Sequence, residues 1–196
     1  MQGDFALHHK ILNKLNVSSK PVKSVKDLQK VEGLIIPGGE STTISLLIDS
    51  FRMKNALIEF GSQYPVLGTC AGLILMAKKV YNSHIDPLGL VDIGVERNAY
   101  GRQIDSEKKI IQFSYPNGIK TNLPATFIRA PKIKDSGKKV YTLGRHNKDP
   151  IAIISGHHIC LSFHPELNGI TEFHKILFDS KSETYYKNLD YTKYAA

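Results

Sequence analysis

A cysteine stands between two glycines in the stretch GTCAG, residues 68–72, where one apolar run meets another. This Gly-x-Cys-x-Gly pattern is typical of a nucleophile elbow, a sharp strand-to-helix turn that exposes the nucleophile and whose glycines avoid side-chain clashes. At the start of a helix, free amides and the helix dipole would favour the Cys70 thiolate, and the Ala71 amide would face a developing oxyanion. The pentapeptide alone leaves open the alternative of a buried structural cysteine on an ordinary turn. Cys160, in the apolar run HICLSF, is interpreted as a core residue.

A histidine and a glutamate two positions apart, His164 and Glu166, directly follow the apolar run ICLSF. A cysteine nucleophile needs a base, and the base needs a group that orients it. Residues two apart in an extended chain face the same side, so this pair could act as base and orienting carboxylate at the edge where open α/β sheets bind ligands. Six further histidines are interpreted as surface or packing residues: His8, His9, His146, His157, His158 and His174. They lack metal-ligand spacing, so no metal site is predicted.

A third candidate is the glycine turn PGGES, residues 37–41, which follows another short apolar run. Adjacent glycines let backbone amides approach a ligand, so the Gly39 amide could supply a second oxyanion donor beside that of Ala71. A phosphate-binding turn is the alternative. The turn lacks the P-loop pattern, however, and the Glu40 carboxylate would repel an anion. Oxyanion support is therefore favoured.

The periodicity of the first half predicts helices that alternate with short strands. The expected elements are a helix over about residues 5–16 capped by Asp4, a strand in VEGLIIPGG, a helix or broken pair of helices from Ser41 or Thr42 to about Phe60, a strand in YPVLG and a helix in AGLILMAKKV. The second half reads as a run of strands with a lysine-bearing loop around residues 132–139 and a closing helix in GITEFHKILFDS. This order predicts an α/β fold in which a parallel sheet carries an antiparallel or mixed extension, as a single domain over residues 1–196.

Composition argues against several classes of function. The chain of 196 residues is 41% apolar, contains no run long enough to span a membrane, and lacks the apolar segment of a secretory signal at its start. Two cysteines do not make a disulfide framework, so a reducing compartment, the cytoplasm, is expected. The net charge of +8 comes from scattered lysines without arginine clusters or interleaved aromatic residues. Nucleic acid is therefore not expected as a partner, whereas an acidic protein partner stays open.

With these motifs in place, the chain resembles the class I, triad-type glutamine amidotransferases, and within them the glutaminase subunits of pyridoxal 5′-phosphate synthase. The resemblance runs from QGDF through GLIIPGGESTT, GTCAGLILMAK, VERNAYGRQIDS and FIRAP to SFHPEL. The elbow and HPE are shared by glutaminases of several pathways, whereas PGGESTT, ERNAYGRQ and FIRAP indicate this branch. The implied fold is a three-layer, flavodoxin-like α/β fold whose mostly parallel central sheet has helices on both faces. Members usually begin with an apolar strand before QGDF, and we expect that first strand to be missing here.

The resemblance also implies roles for individual residues. Cys70, His164 and Glu166 would form a Cys-His-Glu triad, and Gly39 and Ala71 would form the oxyanion hole. The glutamine-binding residues would be Gly39, Glu40, Ser41, Arg97, Ile128 and Arg129. Free glutamine carries an α-ammonium and an α-carboxylate, which call for an acid and a guanidinium in a selective pocket. L-Glutamine would be hydrolysed to L-glutamate and ammonia through a γ-glutamyl thioester, without a cofactor, and the ammonia would pass to a separate synthase subunit in a hetero-oligomeric complex.

Three other interpretations stay open at this point. The chain could be the glutaminase of another pathway, such as histidine biosynthesis, and the identity of its synthase would decide between the two. It could be a non-catalytic or differently catalytic relative, such as a cysteine hydrolase or a stress protein with a similar elbow, although such a protein needs neither the distant HPE motif nor a glutamine-selective pocket. It could be a basic nucleic-acid-binding module, for which binding that depends steeply on salt would be the evidence.

Overall fold

The computed structural model describes residues 5–99 and 107–189. Its helices are α1 (Phe5–Lys14), α2 (Val25–Leu28), α3 (Ser41–Ser50), α4 (Lys54–Gln63), α5 (Ala71–Met76) and α6 (Glu172–Phe178). Its strands are β1 (Leu34–Ile36), β2 (Val66–Thr69), β3 (Ala77–Tyr81), β4 (Val91–Glu96), β5 (Glu107–Ser114), β6 (Lys120–Phe127), β7 (Lys132–Ser136), β8 (Tyr141–His146), β9 (Asp149–Ser155) and β10 (His158–Leu161). Short 3₁₀ helices cover Pro165–Asn168 and Tyr186–Asn188. None of the helices within the two described ranges is long and apolar enough to cross a membrane.

Seven strands form one sheet in the order β1-β2-β10-β9-β8-β5-β6, and β3, β4 and β7 form a second sheet. Strands β1, β2 and β10 pair in parallel, and the pairs from β10 across to β6 are antiparallel. The predicted α/β class is therefore confirmed, with a parallel part joined to an antiparallel extension that supplies more of the strand pairs. In the part of the chain that the structure describes, no strand precedes α1, and β1 forms one edge of the large sheet.

The strands β2 and β10 are buried on both faces, which makes them the middle layer of three. Val66 and Cys160 belong to the hydrophobic cluster that contains side chains of α2, α3, α4 and α5. Their chain neighbours Leu67 and Ile159 belong to a second cluster that contains side chains of α6. Continuous apolar runs suit such strands because successive side chains point to opposite faces and both faces are covered by helices.

The far end of the large sheet curls back towards its parallel part. Although β6 is last in the strand order, the His164 amide donates to the Thr126 carbonyl at the end of β6, at 2.9 Å. The Asn168 side-chain amide donates to the Thr126 hydroxyl at 2.7 Å. These bonds bring the end of the antiparallel extension to the chain segment that follows β10, which is the position of the HPE motif.

The predicted helices around the glycine turn and at the start of the chain are present. The segment from Ser41 to about Phe60 is a broken pair, α3 and α4, separated near Arg52, whose φ of 51° cannot continue a right-handed helix. Helix α1 covers most of the predicted range 5–16, and its expected cap Asp4 lies outside the described residues.

Two of the predicted elements are wrong. The stretch AGLILMAKKV is not one helix, because its last four residues, from Ala77 to Val80, belong to strand β3, which pairs in parallel with β4. The region of Lys132 and Lys134, predicted to be a loop, is strand β7 at the edge of the same sheet. There, Lys132 forms an ion pair with Asp149 at 2.8 Å and Lys134 one with Glu96 at 3.2 Å. Tertiary pairing overrides the local preference in both cases.

Candidate active site

Cys70 occupies the turn between strand β2 and helix α5, with φ 49° and ψ −101°. Residues other than glycine rarely adopt this conformation, so the turn holds Cys70 under backbone strain. Its amide donates to the Leu161 carbonyl of β10 at 2.8 Å. Both flanking glycines are sterically required, because a β-carbon on Gly72 would overlap the Ile36 carbonyl and one on Gly68 would overlap the backbone of Gly72. The local geometry is that of a nucleophile elbow.

The His164 imidazole lies between the Cys70 side chain and a buried carboxylate. Its Nδ1 is 2.7 Å from Oε1 of Glu166, and the ring also hydrogen-bonds the Cys70 side chain. Burial alone would lower the pKa of His164, but its hydrogen bonds to Cys70 and Glu166 and their negative charges outweigh burial and raise this pKa to about 10. All three side chains are buried, Cys70 being 8% exposed. The structure thus brings Cys70, His164 and Glu166 into one chain of contacts.

The segment after β6 forms the wall opposite the elbow. The Ile128 carbonyl oxygen is 3.8 Å from the Cys70 sulfur, within reach of a weak S–H···O contact. The next residue, Arg129, has a φ of 42° and an exposed side chain. This bend turns the Ile128 carbonyl towards the sulfur and leaves the guanidinium in solvent beside the site.

The glycine turn packs directly against the catalytic candidates. The Gly38 amide donates to the Thr69 hydroxyl at 3.0 Å, which fixes the turn to the residue before Cys70. A β-carbon on Gly38 would overlap the ring of His164, so only glycine fits there. Gly39 has a φ of 150°, a conformation that L residues with side chains rarely adopt. The turn therefore lies within contact of the His164 ring.

Glu40 and Arg97, two of the predicted glutamine-binding residues, contact each other. The Glu40 carboxylate caps α3 by accepting hydrogen bonds from the Thr42 amide at 3.0 Å and the Thr43 amide at 2.6 Å. These bonds hold the pKa of Glu40 at about 2. The Arg97 guanidinium donates to Oε1 of Glu40 at 3.2 Å. Ser41, another predicted binding residue, is the buried first residue of α3. The acid and the guanidinium are thus neighbours, and the acid also caps a helix.

Comparisons with known proteins decide the family. The sequence model of the SNO glutamine amidotransferase family matches residues 1–181. This chain belongs to that family. It is similar to the "Pyridoxal 5'-phosphate synthase subunit PdxT" of Brevibacillus brevis, 41% identical over 184 residues that cover 93% of this chain and 95% of the relative. It is also similar to the protein of the same name from Thermosipho africanus, 43% identical over 178 residues that cover 89% of this chain and 92% of the relative.

A solved structure supports the same conclusion for the fold. A crystal structure of a glutamine amidotransferase superposes on this SNO-family chain with a TM-score of 0.83 at 33% identity, covering 90% of this chain and 93% of that one. This likeness confirms the glutaminase fold that the sequence predicts.

Sequence reasoning assigned no role in the site to two histidines that the structure of this SNO-family chain buries beside it. His8 on α1 has its Nε2 3.5 Å from Oε2 of Glu166 and 3.4 Å from the Thr69 hydroxyl. His174 on α6 has its Nε2 2.9 Å from Nδ1 of His8. Their helical neighbours could have given a signal, because His8 and His174 lie on the same faces as the apolar residues that bury α1 and α6.

The site has no cluster of side chains suited to a metal ion among the residues that the structure describes. Within residues 5–99 and 107–189, no group of three or more His, Cys, Asp or Glu side chains has an arrangement that could ligate one. The buried histidines at the site contact one another and Glu166.

Proposed function

We propose that this chain is the glutaminase subunit of a pyridoxal 5′-phosphate synthase. It hydrolyses L-glutamine to L-glutamate and ammonia and supplies the ammonia to a separate synthase subunit. Membership of the SNO glutamine amidotransferase family supports the reaction class. The names of the relatives support the pathway, and the matched region covers more than nine-tenths of the length of each relative. The contact chain Cys70–His164–Glu166 is the structural observation that carries the proposal.

In the first step, the Cys70 thiolate attacks the side-chain carboxamide carbon of glutamine. The raised pKa of His164 supports an imidazolium beside the thiolate, because the positive ring is stabilised by Cys70 and Glu166. The Ala71 amide is the first of α5 and has no acceptor within its helix, so it is available to the oxyanion together with the amide of Gly39. His164 donates its proton to the departing nitrogen, ammonia leaves, and a γ-glutamyl thioester remains on Cys70.

In the second step, water replaces ammonia. Neutral His164 takes a proton from the water, the resulting hydroxide attacks the thioester carbon, and glutamate leaves as the thiolate reforms. The role of Glu166 is to hold Nδ1–H of the ring and stabilise the imidazolium. The 2.7 Å bond between Nδ1 and Oε1 supports that role.

Selectivity for glutamine is assigned to charged groups around the elbow. Glu40 would receive the α-ammonium, and Arg97 or Arg129 the α-carboxylate. The 3.2 Å contact between Glu40 and Arg97 supports this pairing. The α-ammonium of glutamine can take the place of the guanidinium beside Glu40, and the α-carboxylate can take the place of Glu40 beside Arg97. Ile128, whose carbonyl lies 3.8 Å from the sulfur, would border the scissile amide. Gly39 and Ser41 would line the same pocket.

We place the active form in a hetero-oligomeric complex with the synthase subunit, in the cytoplasm, with the whole chain acting as one glutaminase domain. The burial of Cys70 and His164, at 8% and 4% exposure, supports a need for the partner, because glutamine needs more open access than this conformation gives. Both cysteines are free thiols, which suits a reducing compartment.

Glutamine hydrolysis by the chain, with and without its synthase subunit, tests the proposal. Cys70→Ala is expected to abolish turnover while leaving binding to the synthase intact, and Cys160→Ala is the matched control because Cys160 is a buried core thiol. Turnover retained in Cys70→Ala would refute the mechanism. Ammonia-dependent formation of a different product by the companion synthase, such as an intermediate of histidine biosynthesis, would refute the pathway but leave the glutaminase chemistry standing.

A further inference from the structure

The second oxygen of the Glu166 carboxylate is buried away from solvent. Oε1 is hydrogen-bonded to His164, whereas Oε2 has no hydrogen bond among the described residues. The Glu166 carboxylate belongs to a residue that is 3% exposed, and an unpaired charged oxygen in such a place is costly. Nε2 of His8 lies 3.5 Å from it. A small movement would turn this contact into a hydrogen bond that completes the carboxylate.

The charge of the Glu166 carboxylate decides which nitrogens of His8 and His174 carry their protons. If Nε2 of His8 were unprotonated, its lone pair would face the negative Oε2 of Glu166, which is repulsive. A proton on Nε2 removes that repulsion and leaves Nδ1 of His8 as an acceptor. His174 then donates its Nε2–H to this Nδ1 across 2.9 Å. The atom left without a partner is Nδ1 of His174, which in this tautomer carries no proton and so costs less to bury unpaired.

We propose that His8, held by His174, is a positioning residue for the glutaminase reaction. It presents Nε2–H to the second oxygen of Glu166 and thereby keeps that carboxylate aligned behind His164. The proposal rests on the function proposed above and extends the contact chain from three side chains to five, Cys70–His164–Glu166–His8–His174. Groups that support a ligand in this way often change activity 10- to 100-fold when removed from metal sites, and a similar size is expected here.

His8 also connects the carboxylate to the glycine turn. Its Nε2 hydrogen-bonds the Thr69 hydroxyl at 3.4 Å, so the single Nε2–H lies between that oxygen and Oε2 of Glu166. The same hydroxyl accepts from the Gly38 amide at 3.0 Å. One imidazole therefore touches both the group that orients the base and the residue that anchors the turn bearing Gly39. Displacing the ring would disturb both sides of the site at once.

The charges around His8 agree with a neutral donor. The titratable groups that face it are Glu166 and His164 near the 3₁₀ helix and His174 on α6. Burial lowers the pKa of His8 to about 4. The charge of Glu166 acts in the opposite direction and raises this pKa, whereas His174 and His164 lower it further. Burial likewise lowers the pKa of His174 to about 3. Both rings are therefore neutral at pH 7, so each has one nitrogen that donates a hydrogen bond and one that accepts.

Two substitutions of His8 and one control separate positioning from mere packing. His8→Leu fills the space without a donor, whereas the side-chain amide of Gln in His8→Gln places a donor near the position of Nε2. His158→Leu is the control, because His158 is a buried histidine with a lowered pKa at the opposite end of β10 from the HPE motif. Each variant is assayed as the complex with the synthase subunit for kcat and KM over pH 5–9.

The same variants are assayed as the chain alone for the rate of Cys70 alkylation by iodoacetamide across the same pH range. In His8→Leu, we expect kcat to fall about 10- to 100-fold with KM changed by less than about threefold. Without the donor, Glu166 is less well aligned to stabilise the His164 imidazolium, so the imidazolium–thiolate pair is weaker and the acidic limb of both pH profiles moves to higher pH. His8→Gln is expected to restore most of kcat and the limb, and His158→Leu to leave both limbs in place.

Several results would overturn the proposal. The first is full activity in His8→Leu. The second is a loss of activity in His8→Leu that equals its unfolded fraction, with the acidic limbs of both pH profiles unmoved. The third is a folded His8→Gln whose kcat is no higher than that of His8→Leu. If wild type fails to hydrolyse glutamine, the proposed function is refuted, while the alkylation profiles still decide the positioning role. If His8→Leu does not fold, ¹⁵N NMR of the wild-type imidazoles decides: a proton on Nε2 alone of His8 at pH 7 supports the proposal, and one on Nδ1, or on both nitrogens, refutes it.

Discussion

Gly38 lies against the imidazole of His164 so closely that a β-carbon at residue 38 would overlap Cε1 of the ring. The absence of a side chain at this position is therefore what lets His164 keep its place between Cys70 and Glu166. The glycine turn has a steric role in addition to any contact between its amides and a ligand.

Gly38→Ala tests this steric role. The added methyl group has to displace the His164 ring, and a shift of about 1 Å in a catalytic group can lower the rate by about 100-fold. We expect kcat for glutamine to fall by at least that factor while the chain stays folded. Gly118→Ala is the control, because Gly118 has a positive φ but a β-carbon there would have nothing within 4 Å. It is expected to lose about 1 kcal/mol of stability and no activity. Equal kcat in Gly38→Ala and wild type would contradict the packing.

The strain at Cys70 predicts an exchange of activity for stability. At φ 49° and ψ −101°, a residue with a β-carbon destabilises the folded state by about 1–3 kcal/mol relative to glycine. Glycine loses more conformational entropy on folding, which offsets part of this difference. Cys70→Gly is therefore expected to be about 1 kcal/mol more stable than Cys70→Ala, although both are inactive. Urea unfolding of the two variants measures the difference. A lower free energy of unfolding for Cys70→Gly would show that the elbow is not strained.

Two roles of Glu40 can be separated by length. Glu40→Asp keeps a carboxylate that can cap α3, since Asp is a favoured cap, but one methylene shorter it no longer reaches Arg97. Glu40→Ala removes the cap and is expected to lose about 1 kcal/mol of stability. If Glu40 also receives the α-ammonium of glutamine, KM rises about tenfold in both variants, which is a loss of about 1.4 kcal/mol. An unchanged KM would leave Glu40 as a helix cap alone.

Stability is predicted to fall in weak acid. Burial lowers the pKa of His8, His158 and His174 to about 4, 3 and 3, whereas each has a pKa of about 6.5 in the unfolded chain. Between pH 6.5 and 4 the unfolded chain binds more protons, so the free energy of unfolding decreases as the pH falls, by up to about 1.4 kcal/mol per pH unit for each histidine. Denaturant titrations at pH 7.5, 6.0 and 5.0 measure this slope.

His164 contributes with the opposite sign. Its pKa is raised, so its stabilising effect is complete below about pH 6.5 and is lost as the pH rises towards 10. His158→Leu is expected to reduce the decrease in the free energy of unfolding between pH 7.5 and 5.0 by the share of one histidine. A free energy of unfolding that is flat from pH 7.5 to 5.0 would mean that the buried histidines are not held neutral.

The elbow and the HPE pair could be read from sequence because their information is local. Two glycines around Cys70 mark a turn that admits no side chains, and His164 and Glu166 are two residues apart. The packing agrees with both patterns, since a β-carbon on Gly68 or Gly72 would clash with a neighbour and the His164 ring is hydrogen-bonded to Glu166 at 2.7 Å.

The contacts of His8 could not be read in the same way. Its partner His174 is 166 positions away, and only the packing of α1 and α6 beside the HPE motif brings them together. Similarly, strand β3 follows α5 without a break because it pairs with β4, a long-range interaction that the helix-like stretch AGLILMAKKV does not encode. In both cases the sequence near the residue carries no sign of the distant partner.

The backbone hydrogen bond from His164 to Thr126 has a further consequence. Because β6 is the last of the seven strands, this bond holds the curved sheet closed and keeps Ile128 within 3.8 Å of the Cys70 sulfur. Local opening of the outer hairpin would loosen this alignment while the parallel strands and their helices stayed intact. On heating, we therefore expect glutamine turnover to be lost at a lower temperature than the spectroscopic signal of the helices.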